Sequence, residues 1–271
     1  MTVSLKCRLV FLPLVAAVCA QTHVGGVIAK TTRWTAEESP YIITGDIEIG
    51  RQANLIITPG TRILVGKPKT NDKPIEQYDH LDSHTVSIKI KGMLKCIGRR
   101  TNRITFGPLY SDDPRCTWYG IVFDKSFDDL TEIAFTDISG ACHGIKVVNA
   151  SPLIRNTVFE NNNIGLHCHQ KGNPEVYNCI MINNTSCGVR IVNSNPTINN
   201  SIIAFNRNNG VWSDGYSKMD FAYNCVFGNP DGNMLDCNPR YGIITQVNKN
   251  DDSTDFALNL HQDPTFAGSP A

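Results

Sequence analysis

Lys146, His167, Arg190 and Trp212 follow one another at intervals of 21, 23 and 22 residues. Two positions beyond the second and fourth stand His169 and Asp214, in a series that also holds Val148 and Val192. Two cations, two imidazoles, an indole and a carboxylate at one period suit an extended sugar chain. Indole faces pack on the apolar side of a sugar ring, while Arg and Lys pair with uronate or sulfate groups. A polysaccharide lyase needs a base for the proton α to a carboxylate and a group that neutralises that carboxylate. Arg190 or Lys146 fits those parts by residue type alone. A glycosidase needs two carboxyl groups about 5–10 Å apart. Asp124 and Asp214 lie four intervals apart, about 19 Å if each interval adds one strand spacing. His167 and His169 place two imidazoles on one side of a strand with no third metal ligand in view. No metal and no cofactor is expected.

These residues act together only if the chain returns to the same place every 22 residues or so, and the surrounding sequence says that it does. Gly144, Gly165, Gly188 and Gly210 recur at 21, 23 and 22 residues, and Pro152, Pro174 and Pro196 at 22 and 22. Asn156, Asn178, Asn200 and Asn224 recur at 22, 22 and 24. Three residue types on one period form an internal repeat. Each repeat reads as short alternating apolar runs broken by Gly, Asn and Pro, hence short strands joined by turns. One repeat cannot bury its apolar face alone. Stacking repeats buries that face and pairs every strand in parallel with its copies above and below, about 4.8 Å away. Ile145, Leu166, Val189 and Val211 then point inward. Lys146, His167, Arg190 and Trp212 form one outer line, with Val148, His169, Val192 and Asp214 beside it. Val122 and Asp124 begin the two lines. The repeated Asn suits a ladder at a tight bend, since it tolerates left-handed backbone and bonds to turn groups. The repeated Gly suits a place where a β-carbon is awkward.

The repeats resemble the right-handed parallel β-helix proteins, the pectate-lyase-like solenoids, over most of the chain. The resemblance implies an all-β fold, a right-handed parallel β-helix (solenoid) with N- and C-terminal caps. It also implies polysaccharide binding along an outer parallel sheet. The acidic clusters that serve polygalacturonases and pectate lyases have no counterpart in these repeats, so no catalytic residue is carried over.

Residues 1–20 place Lys6 and Arg8 before an apolar run and small residues, the pattern of a secretory signal peptide cut near Ala20. The mature chain is expected to be secreted, or to reside in a periplasm or at a cell surface. No other run approaches the ~20 apolar residues of a membrane span. Lys and Arg together number 25, as do Asp and Glu, and this balance argues against a nucleic-acid partner.

Of the eight remaining cysteines, Cys142, Cys168 and Cys187 have no cysteine in register on a neighbouring repeat. Cys179 and Cys225 lie two repeats apart, about 10 Å by strand spacing, beyond disulfide reach. Reduced core cysteines are the expectation, with pairs involving Cys96, Cys116 or Cys237 left open.

Residues 21–66 read as an N-terminal cap and first coils, with Trp34 covering the end of the core. Residues 67–85 read as a polar loop, 86–230 as coils, and 231–271 as a C-terminal cap. His80, Asp82 and His84 in the loop, and Asp251, Asp252 and Asp255 near the end, are taken as solvated charge. Asn183, Asn184 and Asn199 begin glycosylation sequons that the repeat itself explains. Two functions follow. One is glycan binding, with or without lyase-type chemistry, on the face bearing Lys146, His167, His169, Arg190, Trp212 and Asp214. The other is a structural or adhesive role, the solenoid being a stiff spacer for contacts with cell-surface components.

Overall fold

The computed structural model describes residues 21–66, 85–110, 116–126 and 130–266. The expected leader and the 67–85 loop, Thr85 excepted, lie outside them, and so do His80, Asp82 and His84. The regular structure is all strand, and every pairing between successive coils is parallel. Three faces run the length of the molecule. One is an eight-stranded sheet from Thr32–Trp34 to Asp220–Ala222. The other two are joined through the strand Tyr41–Ile49, which pairs by residues 41–43 with Arg62–Val65 and by 47–49 with Ser87–Ile90. The all-β parallel solenoid expected from the repeat is the fold.

The inward columns are dry. Ile121, Ile145, Leu166, Val189 and Val211 stack in register and are fully buried, and beside them run Phe123, Val147, Cys168 and Ile191. Each such side chain contributes about 1.5–3 kcal/mol on leaving water. At the first coils Trp34 is buried and stacks on Tyr41, ring centroids 4.8 Å apart.

The turns explain the repeated asparagines, with one change of column. Asn156, Asn178 and Asn200 have φ near +53° and share their bend with Phe135 and Tyr223. Asn224 stands one position further on. Its Oδ1 accepts from the Ser201 N–H at 2.9 Å and its own N–H donates to Asn259 Oδ1, so it belongs to an inward column that the bend asparagines do not enter. A second inward column is wholly asparagine: Asn162, Asn184, Asn206 and Asn229, the first three fully buried. The backbone N–H groups of Asn162, Asn184 and Asn206 each donate to the side-chain oxygen of the next member at 2.9–3.1 Å. This places Asn184, which begins a sequon, inside the protein. The repeated glycines sit where strands leave this corner. A β-carbon on Gly144 or Gly165 would lie 2.6 Å from the carbonyl oxygen of the next repeated glycine.

Two expectations change. Cys116 and Cys142 form a disulfide. Cys142 lacks a partner in its own register, but Cys116 lies ahead of the strand Trp118–Asp124, where the coil before supplies the bond from a bend with φ +52°. Cys96, Cys168, Cys179 and Cys187 are buried thiols, and Cys225 and Cys237 are half-buried thiols. Asp255 is not surface charge. It is fully buried and accepts from the backbone N–H groups of Gly242, Ala257 and Asn259. Burial pushes its carboxyl up, but those bonds outweigh burial and hold it below the usual range. It ties down the closing segment, where Val226 N–H donates to the Leu260 carbonyl at 2.9 Å.

The disulfide joins residues 26 apart, a loop for which chain entropy gives about 3.5 kcal/mol. The paired change Cys116→Ser and Cys142→Ser should lower the urea midpoint accordingly. Reductant should reproduce the shift in the wild type and leave the variant unmoved.

Candidate functional site

Five neighbouring strands build the face in question: Trp118–Asp124, Ala141–Val148, Ile164–His169, Cys187–Val192 and Asn209–Ser213. Their register joins Lys146 to His167, His167 to Arg190, and Arg190 to Trp212. The outer line read from the repeat is therefore physical. Val122 lies beside Lys146, while Asp124, Val148, His169 and Val192 form the second line.

The side chains are closer and drier than an open sheet would leave them. The ring of His143 lies 5.0 Å from that of His167, which lies 5.5 Å from that of His169. Tyr119 meets His143 edge-on at 5.1 Å and accepts a hydrogen bond from Lys146 Nζ at 3.1 Å. His167 is only 7% exposed, and neither of its ring nitrogens has a hydrogen-bond partner. The Nδ1 atoms of His143 and His169 are also buried and unbonded. The Arg190 guanidinium lies over Trp212, 4.9 Å from the ring centre. One indole face thus holds the cation in place, and the next strand sets Leu235 beside Trp212 in register.

Burial and neighbouring positive charge act together here. Burial first, then Lys146 and Arg190, lowers His143 to about 3. His167 is held well below the ordinary imidazole range by burial, then by His143, Lys146, Arg190 and His169. His169 is lowered by burial and the same two cations, and Lys146 by burial and then Arg190. Burial raises the Tyr119 phenol to about 12. At neutral pH the site therefore holds neutral imidazoles between two cations. Among the described residues no group of three or more His, Cys, Asp or Glu is placed to hold a metal ion.

Asp214 stands apart from the cluster. Its carboxylate accepts from the backbone N–H groups of Asn193, Tyr216 and Ser217 at 2.6–3.0 Å. Burial pushes it up, yet these bonds prevail and lower it. It shapes the bend at the strand ends, where two adjoining grooves of about 320 and 230 Å³ share Lys171 and Asn193. Lys125 lines one groove, and Lys218 and Tyr216 line the other. The Tyr216 ring is 89% exposed.

Sequence reasoning did not reach Tyr119, His143 or the groove residues. Tyr119 and His143 each stand just ahead of a glycine of the repeat, Gly120 and Gly144. Comparing that position as well would have found both. Lys125, Asn149, Gln170 and Asn193 of the groove recur at 24, 21 and 23 residues on one left-handed bend, but the residue type changes along the column and hides the period.

A family model described as "Right handed beta helix region" matches residues 114–253, just over half of the 271-residue chain. The chain belongs to that family, whose matched region contains every residue of the cluster. No curated protein and no solved structure matches the chain. Among the described residues no helix is long and apolar enough to cross a membrane.

Proposed function

We propose that this β-helix protein binds an extended glycan along the face bearing Lys146, His167, Arg190 and Trp212. The observation that carries the reading is the register that sets these four side chains on successive strands, with Arg190 braced on the indole. Adjacent rungs lie about 4.8 Å apart, a step comparable to one sugar ring. Contacts can therefore repeat along a polymer lying parallel to the solenoid axis. The neighbouring grooves lengthen the track, and Tyr216 offers an exposed ring of the kind sugars stack on. His169 lies between cluster and grooves, and Asp214 acts through the bend that it holds. Catalysis is not part of the proposal.

A glycan array with the wild type, Arg190→Ala and Trp212→Ala tests it. Binding by the wild type should fall at least tenfold in each variant, a loss of about 1.4 kcal/mol or more. An array on which the wild type retains nothing would instead favour the solenoid as a spacer or adhesive element.

A further inference from the structure

The bend that follows each strand of the site carries a cation on alternate coils. Hydrogen bonds from one coil to the next fix the count. The Lys171 N–H donates to the Asn193 carbonyl at 2.7 Å, and the Lys218 N–H donates to Asn195 Oδ1 at 2.7 Å. Lys171 thus stands on one coil, Asn193, Ser194 and Asn195 on the next, and Lys218 on the one after. The same count runs backwards. The Lys125 N–H donates to the Val148 carbonyl and the Asn149 N–H to the Gln170 carbonyl. Lys125 therefore lies two coils before Lys171, with the uncharged Asn149 between them. A lysine recurs on every second coil, about 9.6 Å along the axis at one strand spacing per coil. All three lysines are exposed. They line the two adjoining grooves that share Lys171 and Asn193. Between Lys171 and Lys218 the groove is lined by amides, hydroxyls and Tyr216. The Asp214 carboxylate stands beside that middle coil, with Oδ2 accepting from the Asn193 N–H at 2.6 Å.

We propose that these grooves seat an anionic glycan in which acidic and neutral sugars alternate. The inference rests on the glycan reading and adds to it the order of charge along the polymer. With one sugar to a coil, acid groups on every second sugar meet Lys125, Lys171 and Lys218 in turn. The neutral sugars between them meet Asn149, Asn193 and Asn195, whose amides both donate and accept and so suit hydroxyl groups. Tyr216, two residues ahead of Lys218, offers its exposed ring to the apolar side of a sugar. A polymer with an acid group on every sugar fits less well. Its intervening carboxylates would come to the amide coils, one of them beside Asp214, and like charges repel. A neutral polymer gains nothing from the lysines. Because each lysine is a point charge on a flexible stem, the grooves select charge spacing more than linkage.

Titration calorimetry on the whole chain tests this with three probes. One is a hyaluronan hexasaccharide, in which glucuronate alternates with a neutral sugar. The others are cellohexaose, which is uncharged, and its oxidised form with a carboxylate on every ring. The alternating probe should bind more tightly than the oxidised one and about tenfold more tightly than cellohexaose, the sum of three exposed charge pairs. Lys171→Gln combined with Lys218→Gln should weaken the alternating probe about fivefold and reduce the loss of its affinity with added salt. Both side chains are exposed, so the urea midpoint should stay where it is. Equal or tighter binding of the oxidised probe, or alternating-probe binding that survives the double change, overturns the spaced-charge grooves. The glycan reading then still stands if Arg190→Ala or Trp212→Ala weakens whichever probe binds. Selective binding lost in the lysine variant but untouched by Arg190→Ala and Trp212→Ala upholds the grooves and sinks the reading of the strand face. Silence from all three probes overturns the grooves as a site for such a polymer.

Discussion

Replacing Asn206 with alanine should destabilise the protein by about 3–5 kcal/mol, seen as a lowered urea midpoint with little change in slope. The size follows from what one amide does inside the coil stack. Asn206 Oδ1 accepts from the backbone N–H of Asn184 at 3.1 Å and from Asn184 Nδ2 at 2.8 Å. Its Nδ2 donates to the Met181 carbonyl at 3.1 Å and to Asn229 Oδ1 at 3.0 Å. The side chain is fully buried, so alanine leaves these partners facing apolar neighbours without water. Each stranded buried group costs about 1–3 kcal/mol, and a chain of such bonds can lose more than its separate links. Asn208→Ala, on the exposed side of the same bend, should change stability by less than about 0.5 kcal/mol. Equal effects at the two positions would mean that the amide column does not carry the corner.

Acid should unfold the protein in a manner set by the histidines. An imidazole whose folded pKa is depressed binds fewer protons in the native state than in the unfolded one, so stability rises with pH across the interval between the two values. For His143 that interval runs from about 3 to the ordinary value of 6.5, and His167 shifts in the same direction. The stabilising contribution is complete above about pH 6.5 and is lost as pH falls towards 3. Each group gives a slope of at most about 1.4 kcal/mol per pH unit. Unfolding free energy measured against pH should therefore decline steeply below 6.5. His167→Phe should flatten part of that decline. A profile that stays level from pH 7 to about 4 would contradict the depressed imidazoles.

The strand-borne part of the architecture was open to reading in the sequence because its signal is periodic. Ile145, Leu166, Val189 and Val211 recur with their glycines, and the same spacing sets Lys146, His167, Arg190 and Trp212 on adjacent strands. What the period does not encode is depth. His167 alternates outward like any surface residue, yet His143 and His169 flank its ring and leave it 7% exposed. Columns also blur where chemistry changes along them. The bend that begins as Phe135, continues as three asparagines and ends as Tyr223 attracts an alignment to the nearby Asn224, one residue off. The disulfide escaped for a related reason: Cys116 sits at an irregular turn, and registers built from strands do not extend to it. Asp255 lies past the last repeat, where no neighbour of the same kind signals that the position is buried.

The corners carry one last implication, for how such a chain can change its length. Successive members of the amide column are 22 or 23 residues apart, and small differences in circuit length are absorbed at the bends. Removing a single residue within a strand would turn its alternate side chains inside out. Removing a full circuit would leave every remaining neighbour matched. Growth and shrinkage of the molecule are thereby quantised, and its length can be extended in increments of about 4.8 Å with no other part of the design altered.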